Sequence, residues 1–107
     1  MHEIAIDVRD VPQRRRFEIV VDGEVAGYAT YRSRSGVRAF LHTVVQPRFE
    51  GHGYASRLVT EALDATRKDG LAVEPFCPYV RDFIAKHREY LDLVSQARRA
   101  KFGLPSA

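Results

Sequence analysis

A short loop in the middle of the chain carries two glycines, Gly51 and Gly53, in the sequence Arg48-Phe49-Glu50-Gly51-His52-Gly53. Glycines lack the Cβ atom that would block an anion, and the first N–H groups of a helix have no internal partner and lie at the positive end of its dipole. A phosphate group therefore fits a glycine-rich loop that opens a helix. The loop is not a Walker loop, because no Lys followed by Ser or Thr comes after Gly53, and it lacks the third glycine of the dinucleotide fingerprint.

Hydrophobic patterning predicts the elements that must position this loop. Short alternating apolar runs predict a meander of four antiparallel strands, with Asp22-Gly23 as the hairpin signal between the second and third. Apolar residues at helical spacing from Tyr54, ended by Gly70, predict a helix. A fifth strand follows, and then a helix from about Tyr79 whose apolar stripe includes His87, which we expect to be a hydrogen-bonded core histidine. The predicted strands are residues 4–8, 17–21, 24 to about 31, 37–45 and 71–76.

This order of four strands, helix, strand and helix indicates an α+β (mixed α/β) fold with helices packed on a sheet. A chain of 107 residues has the size of one domain, so we expect residues 1–107 to form a single unit, with 103–107 as a frayed tail. The only cysteine, Cys77, cannot form an internal disulfide, and no apolar run approaches the ~18 to 20 residues of a membrane span. We therefore expect a cytoplasmic protein without membrane contact.

The charge pattern selects no partner. The net charge of +3 is mild and suits anionic small molecules as well as nucleic acid. Basic clusters at residues 14–16 and 98–101 lack an aromatic platform or a helix-turn-helix, so we do not expect nucleic-acid binding. We also expect no metal site, because one Cys does not build a zinc site and the histidines show no ligand spacing. These histidines are His2, His42, His52 and His87.

The loop and its surroundings resemble one family. The sequence Arg48-x-x-Gly51-x-Gly53 resembles the pyrophosphate-binding signature of the GNAT superfamily of acyl-CoA-dependent N-acyltransferases, in which the loop also follows the fourth strand. Segments 41–45, 50–53, 77–80 and 87–94 are similar to its small, single-domain, NATD1-type subgroup, over about residues 15 to 95. The resemblance implies a minimal GNAT-like fold with acetyl-CoA or coenzyme A as co-substrate. The coenzyme-binding residues it implies are Val45, Arg48, Gly51, His52, Gly53, Tyr54 and Ala55.

The resemblance also directs attention to candidate catalytic residues. Val44 stands where the subgroup usually has a glutamate, which removes the most obvious carboxylate base. His42 is then the leading candidate for deprotonating an amine, directly or through water. Cys77 follows the fifth strand, where sheets of this family splay to admit the thioester. Its thiol has three candidate roles: a proton donor, an acyl-carrying nucleophile or a small buried hydrophobic side chain. Tyr79 and Tyr90 are candidate general acids for the coenzyme thiolate, or ordinary packed aromatics.

With these residues, the resemblance implies transfer of an acyl group from acetyl-CoA to a primary amine, on a small molecule or a protein, by direct attack. Two alternatives from other classes stay open. The first is a noncatalytic module that binds coenzyme A or acyl-CoA. The second is a small partner-binding protein that keeps only the fold.

Overall fold

A computed structural model describes residues 3–106 and contains one sheet of five strands. The strands lie in the order β1-β2-β3-β4-β5; neighbours from β1 to β4 are antiparallel, and β5 joins β4 in parallel. The predicted mixed α+β class is confirmed. The strands are β1 (Ile6–Val11), β2 (Arg16–Val21), β3 (Glu24–Arg34), β4 (Val37–Val45) and β5 (Ala72–Pro75). The helices are α1 (Tyr54–Lys68), α2 (Pro78–Lys86) and α3 (Gln96–Arg99), with 3-10 turns at Pro12–Arg14, Pro47–Phe49 and Arg88–Leu93.

The sheet and α1 enclose most of the core. Helix α1 buries its apolar stripe, including Leu58 and Leu63, against one face of the sheet, where Phe17, Ile19 and Phe40 are buried. This is the burial that the helical spacing predicts. None of the helices within residues 3–106 is both long and apolar enough to cross a bilayer.

The first and third strands differ from their predicted bounds. β1 begins at Ile6 and continues to Val11, because Asp10 and Val11 still pair with β2 before Pro12 ends the ladder. β3 continues to Arg34, since its polar end pairs with the start of β4. Backbone pairing decides where β1 and β3 end, and the alternation of apolar side chains does not show this pairing.

The predicted second helix is shorter than its apolar stripe. α2 ends at Lys86, His87 leaves the helical conformation at φ −116 and ψ 80, and a 3-10 turn follows. Tyr90 and Leu91, which follow His87 by three and four residues, are buried in this 3-10 turn. The apolar stripe therefore continues after the α-helix has ended. The prediction of a core histidine at His87 was wrong: the side chain is exposed and stacks on Phe83, with ring centroids 4.1 Å apart.

The last described residues are packed. Phe102 and Leu104 are buried, and the Arg99 guanidinium donates to the carbonyls of Val94 and Ser106. Leu104 is therefore packed although it lies in the segment expected to be a tail, and residue 107 lies outside the described residues.

Candidate active site

β4 and β5 separate before β4 ends. Their pairing runs from Val37 and Ala72 to Phe40 and Pro75, and the Cys77 N–H then donates to the Phe40 carbonyl at 2.9 Å. β4 continues to Val45 with pairing only to β3. Proline at positions 75 and 78 has no N–H with which to extend the ladder. The edge of β4 beyond Phe40 thus borders a gap between the two strands.

A bulge in β4 decides which way His42 points. Tyr31 pairs with Phe40 and Thr30 pairs with His42, so Leu41 is an extra residue in β4. An extra residue inverts the alternation of side chains, which leaves Phe40 buried in the core and His42 exposed on the opposite face. Without the bulge His42 would share the face of Phe40. The bulge therefore presents the imidazole to the surface groove described next.

This groove has a volume of about 410 Å³ and brings together three of the predicted catalytic residues, His42, Cys77 and Tyr79, with Val44. Cys77 is only 4% exposed, and its Sγ lies 3.4 Å from Thr43 Oγ1. Tyr79 is 40% exposed, and partial burial of its phenol raises the pKa of Tyr79. The phenol therefore carries its proton at neutral pH and is able to donate it.

Three groove residues were missed by sequence reasoning. Tyr28 and Thr30 on β3 reach the groove because they pair with Val44 and His42 across the ladder. Thr43 reaches it beside Cys77. Alternation within β3 places Tyr28 and Thr30 on one face, but only the cross-strand register, which depends on the bulge, shows which neighbours they meet.

The glycine loop has the geometry of an anion site. Gly51 and Gly53 have φ of +83° and +75°, and a Cβ on either would meet no atom within 4 Å. Gly53 precedes α1 without a capping side chain, and the first turn holds no acidic residue. The first helical bond runs from Arg57 N–H to Gly53 O, so the N–H groups of Tyr54 and Ala55 precede the ladder and have no intrahelical acceptor. The loop therefore offers open space and unpaired donors, which suit a pyrophosphate group.

The other predicted coenzyme residues surround this loop with less free charge. Arg48 is paired with Glu24, and its guanidinium lies 4.5 Å from the centre of the Phe49 ring. His52 is exposed and stacks on Tyr54, with ring centroids 5.3 Å apart. The main-chain donors, rather than the Arg48 cation, are the uncommitted groups of the loop. Val45 ends β4 and is half-buried.

A smaller cavity of about 290 Å³ lies between the first turn of α1 and α2. Ser56 lines it from α1, and Tyr79, Asp82 and Lys86 line it from α2. Tyr79 also lines the groove, so its side chain lies between the two cavities. Tyr79 therefore stands where the start of α1 and the groove approach each other.

Tyr90 lies apart from this constellation. Its hydroxyl donates to Asp64 Oδ1 at 2.8 Å, which ties the 3-10 turn to α1. Burial and this hydrogen bond raise the pKa of Tyr90 to about 12. Tyr90 lines neither the groove nor the smaller cavity. Its position fits packing, and we leave it out of the site.

Residues 3–106 contain no group of three or more His, Cys, Asp or Glu side chains placed to hold a metal ion. His2, one of the histidines considered above, lies outside the described residues.

Comparisons with known proteins agree with this geometry. A GCN5-like protein from Staphylococcus aureus, solved by NMR, superposes with a TM-score of 0.64 at 19% identity, covering 83% of this chain and 87% of that one. N-acetylglutamate synthase from Neisseria gonorrhoeae, complexed with coenzyme A and N-acetyl-glutamate, gives 0.50 at 18% identity, covering 64% of this chain and 18% of the synthase. These likenesses show the fold. No curated protein shows significant similarity to the chain.

A family model described as GCN5-related N-acetyl-transferase matches residues 16–93, which include β2 to β5, the glycine loop, α1 and α2. The match spans most of the chain and every element that borders the groove. The chain therefore belongs to the family of GCN5-related N-acetyltransferases.

Proposed function

We propose that this protein is an acetyl-CoA-dependent N-acetyltransferase that transfers the acetyl group to a primary amine by direct attack. The observation that carries the proposal is the separation of β4 from β5. It leaves the edge of β4 unpaired beside a groove that holds His42, Cys77 and Tyr79. The glycine loop lies at the end of that same strand.

The chain offers two sets of donors to the co-substrate. The N–H groups of Gly51 to Ala55, at the start of α1, would hold the pyrophosphate, and a Cβ on Gly51 or Gly53 would meet no atom within 4 Å. The free edge of β4, up to Val45, would bind the amides of the pantetheine arm as an added strand would. Both sets are main-chain groups, so a side-chain substitution does not remove them and affects them only indirectly.

The groove supplies groups for the two proton transfers of the reaction. The amine nitrogen forms a bond to the acetyl carbonyl carbon while the carbon–sulfur bond breaks. His42 takes the proton that the amine loses, directly or through water. Tyr79 gives a proton to the departing sulfur, because its phenol is protonated at neutral pH and lies between the groove and the start of α1. Cys77, held by Thr43, is the alternative donor.

Within the family we propose the small, single-domain, NATD1-type subgroup, with Val44 in place of its usual glutamate. The acceptor is a primary amine on a small molecule or a protein.

The test is release of free coenzyme A thiol from acetyl-CoA in the presence of a panel of amines and of lysine peptides. We expect release that depends on the amine and falls at least tenfold in His42→Ala. Equal release with and without an amine, or with and without His42, contradicts the proposed chemistry.

A second candidate is a noncatalytic module that binds coenzyme A. The observation that favours it is the groove lining, which contains no carboxylate and presents Val44 with 38% of its surface exposed. It predicts binding of acetyl-CoA without thiol release for every acceptor tested. The same assay, run beside a binding measurement, therefore separates the two candidates.

A further inference from the structure

A second, larger cavity lies at the opposite end of the sheet from the glycine loop. It is open, has a volume of about 690 Å³, and is lined by Arg38 near the start of β4 and by the far end of β3. Arg38 also contacts Asp69, just beyond the C-terminal end of α1, whereas the loop precedes the N-terminal end. A helix of 15 residues spans about 22 Å, which is the order of the separation between the cavity and the loop.

One wall of this cavity is a fixed cation. The Arg38 side chain is only 7% exposed, and it donates to Thr66 Oγ1 at 3.0 Å and to Asp69 Oδ2 at 3.3 Å. Its guanidinium lies 4.7 Å from the centre of the Tyr31 ring. Its Nε also donates to Ser33 Oγ at 3.4 Å. A buried guanidinium held by three side chains and an aromatic ring keeps its orientation, so no side-chain ordering is needed when an anion arrives.

Three further arginines line the cavity without a partner. Within residues 3–106, no salt bridge or side-chain hydrogen bond engages Arg15, Arg32 or Arg34. The only acidic residue that lines the cavity is Asp10, and its carboxylate already accepts the Tyr31 hydroxyl at 2.5 Å. Four arginine residues therefore line one cavity, and the only carboxylate in its lining is already engaged.

The backbone that carries Arg15 is also fixed. Arg15 has φ 53 and ψ 48, a left-handed conformation that is uncommon outside glycine. Its N–H donates to the Pro12 carbonyl and its own carbonyl accepts from Tyr31 N–H, both at 2.9 Å. These bonds hold the turn against the cavity and set the position from which the Arg15 side chain starts.

We propose that this cavity binds a small molecule bearing a pyrophosphate or a comparable cluster of phosphate oxygens. Guanidinium groups match phosphate oxygens with paired N–H donors, and four arginine residues line this cavity. The volume lies within the usual range for small-molecule sites. This site is separate from the groove, and the proposal does not depend on acyl transfer.

The test follows inorganic pyrophosphate binding by two-dimensional NMR and calorimetry, at ionic strength matched with sodium chloride. We expect amide shifts at Tyr31, Ser33 and Arg34 that persist in Gly51→Val, which blocks the loop. The double variant Arg32→Gln/Arg34→Gln should weaken this binding at least tenfold and leave the acetyl-CoA affinity unchanged. The double variant Arg81→Gln/Arg88→Gln removes the same charge elsewhere and should retain full pyrophosphate binding.

Three outcomes overturn the proposal. Shifts confined to Gly51 and its neighbours would assign all pyrophosphate binding to the loop. An equal loss of affinity in the two double variants would mean attraction by net charge alone. Tighter binding of a short single-stranded RNA, lost in Arg32→Gln/Arg34→Gln, would make the cavity part of a nucleic-acid surface rather than a small-molecule site.

Discussion

At the residue scale, we propose that Tyr79 gives the proton that the departing coenzyme thiolate takes up. We expect Tyr79→Phe to lower kcat about a hundredfold, because a positioned general acid contributes on the order of 10² to 10⁴ in rate. The acetyl-CoA affinity should stay unchanged, since the main-chain donors of the loop are intact. Steady-state kinetics of thiol release, together with calorimetry, measures both quantities.

Tyr90→Phe is the matched control for Tyr79→Phe. It removes the hydroxyl bound to Asp64, so thermal denaturation should show a loss of about 1 kcal/mol, while kcat is retained. The opposite pattern, with kcat lost in Tyr90→Phe and retained in Tyr79→Phe, would transfer the acid role to Tyr90.

The Gly51 position tests the loop. A valine there points its side chain into the open space where we propose that the pyrophosphate binds, so we expect at least a tenfold loss of acetyl-CoA affinity. The left-handed conformation of Gly51 should also cost about 1–2 kcal/mol of stability. Gly36→Val is the matched control, because Gly36 has φ +78 and equally open surroundings at the far hairpin. Equal coenzyme affinity in the two variants would refute the loop assignment.

At the element scale, the position of β4 depends on its close approach to β3. A Cβ at Gly27 would lie 2.5 Å from the Val44 carbonyl oxygen, so Gly27→Ala must push the two strands apart. We expect a loss of about 1–3 kcal/mol in unfolding free energy by urea denaturation. The coenzyme affinity should fall as well, because β4 carries the free edge. An unchanged denaturation midpoint would mean that the strands adjust without cost.

The elements also show where sequence reasoning ends. Alternation and helical spacing predict all five strands, α1 and the start of α2, and the two glycines mark the loop. The hydrophobic pattern does not locate the bulge, because Leu41 is apolar and would fit the pattern equally well as a paired residue or as the extra residue of the bulge. That one residue decides that His42 faces the groove. The stripe through Leu91 likewise cannot distinguish an α-helix from a helix followed by a 3-10 turn.

The sequence predicts only some residues of the candidate site, because local patterns do not record tertiary packing. His42, Cys77 and Tyr79 were predicted as site residues, and they line one groove. The presence of Tyr28 and Thr30 in the groove depends on the register between β3 and β4, and the smaller cavity depends on how α2 packs beside α1. Both are tertiary properties, which a local pattern does not record.

At the scale of the whole molecule, two buried phenols make the fold sensitive to alkali. Burial, followed by hydrogen bonds to Asp10 and Asp64, raises the pKa of Tyr31 and of Tyr90 from 10.0 to about 12. A group whose folded pKa is raised stabilises the fold fully below its unfolded pKa and loses this contribution as pH rises towards the folded value. Stability should therefore be constant with respect to these groups below pH 10 and fall between pH 10 and about 12.

Absorbance at 295 nm measures this directly, because it reports ionised phenol. In the folded protein, Tyr31 and Tyr90 should titrate near pH 12. Tyr90→Phe should remove one of those two. Titration of all five near pH 10 in the folded state would contradict the buried hydrogen bonds.

The central claim is that the glycine loop and the free edge of β4 bind the coenzyme. Its most direct test is calorimetric titration of the protein with acetyl-CoA and with coenzyme A, with Gly51→Val as the blocked loop. We predict that both ligands bind with Kd on the order of micromolar and that both are lost in the variant. Absence of binding for both ligands in the unmodified protein would contradict the account and leave this chain with the fold of its family alone.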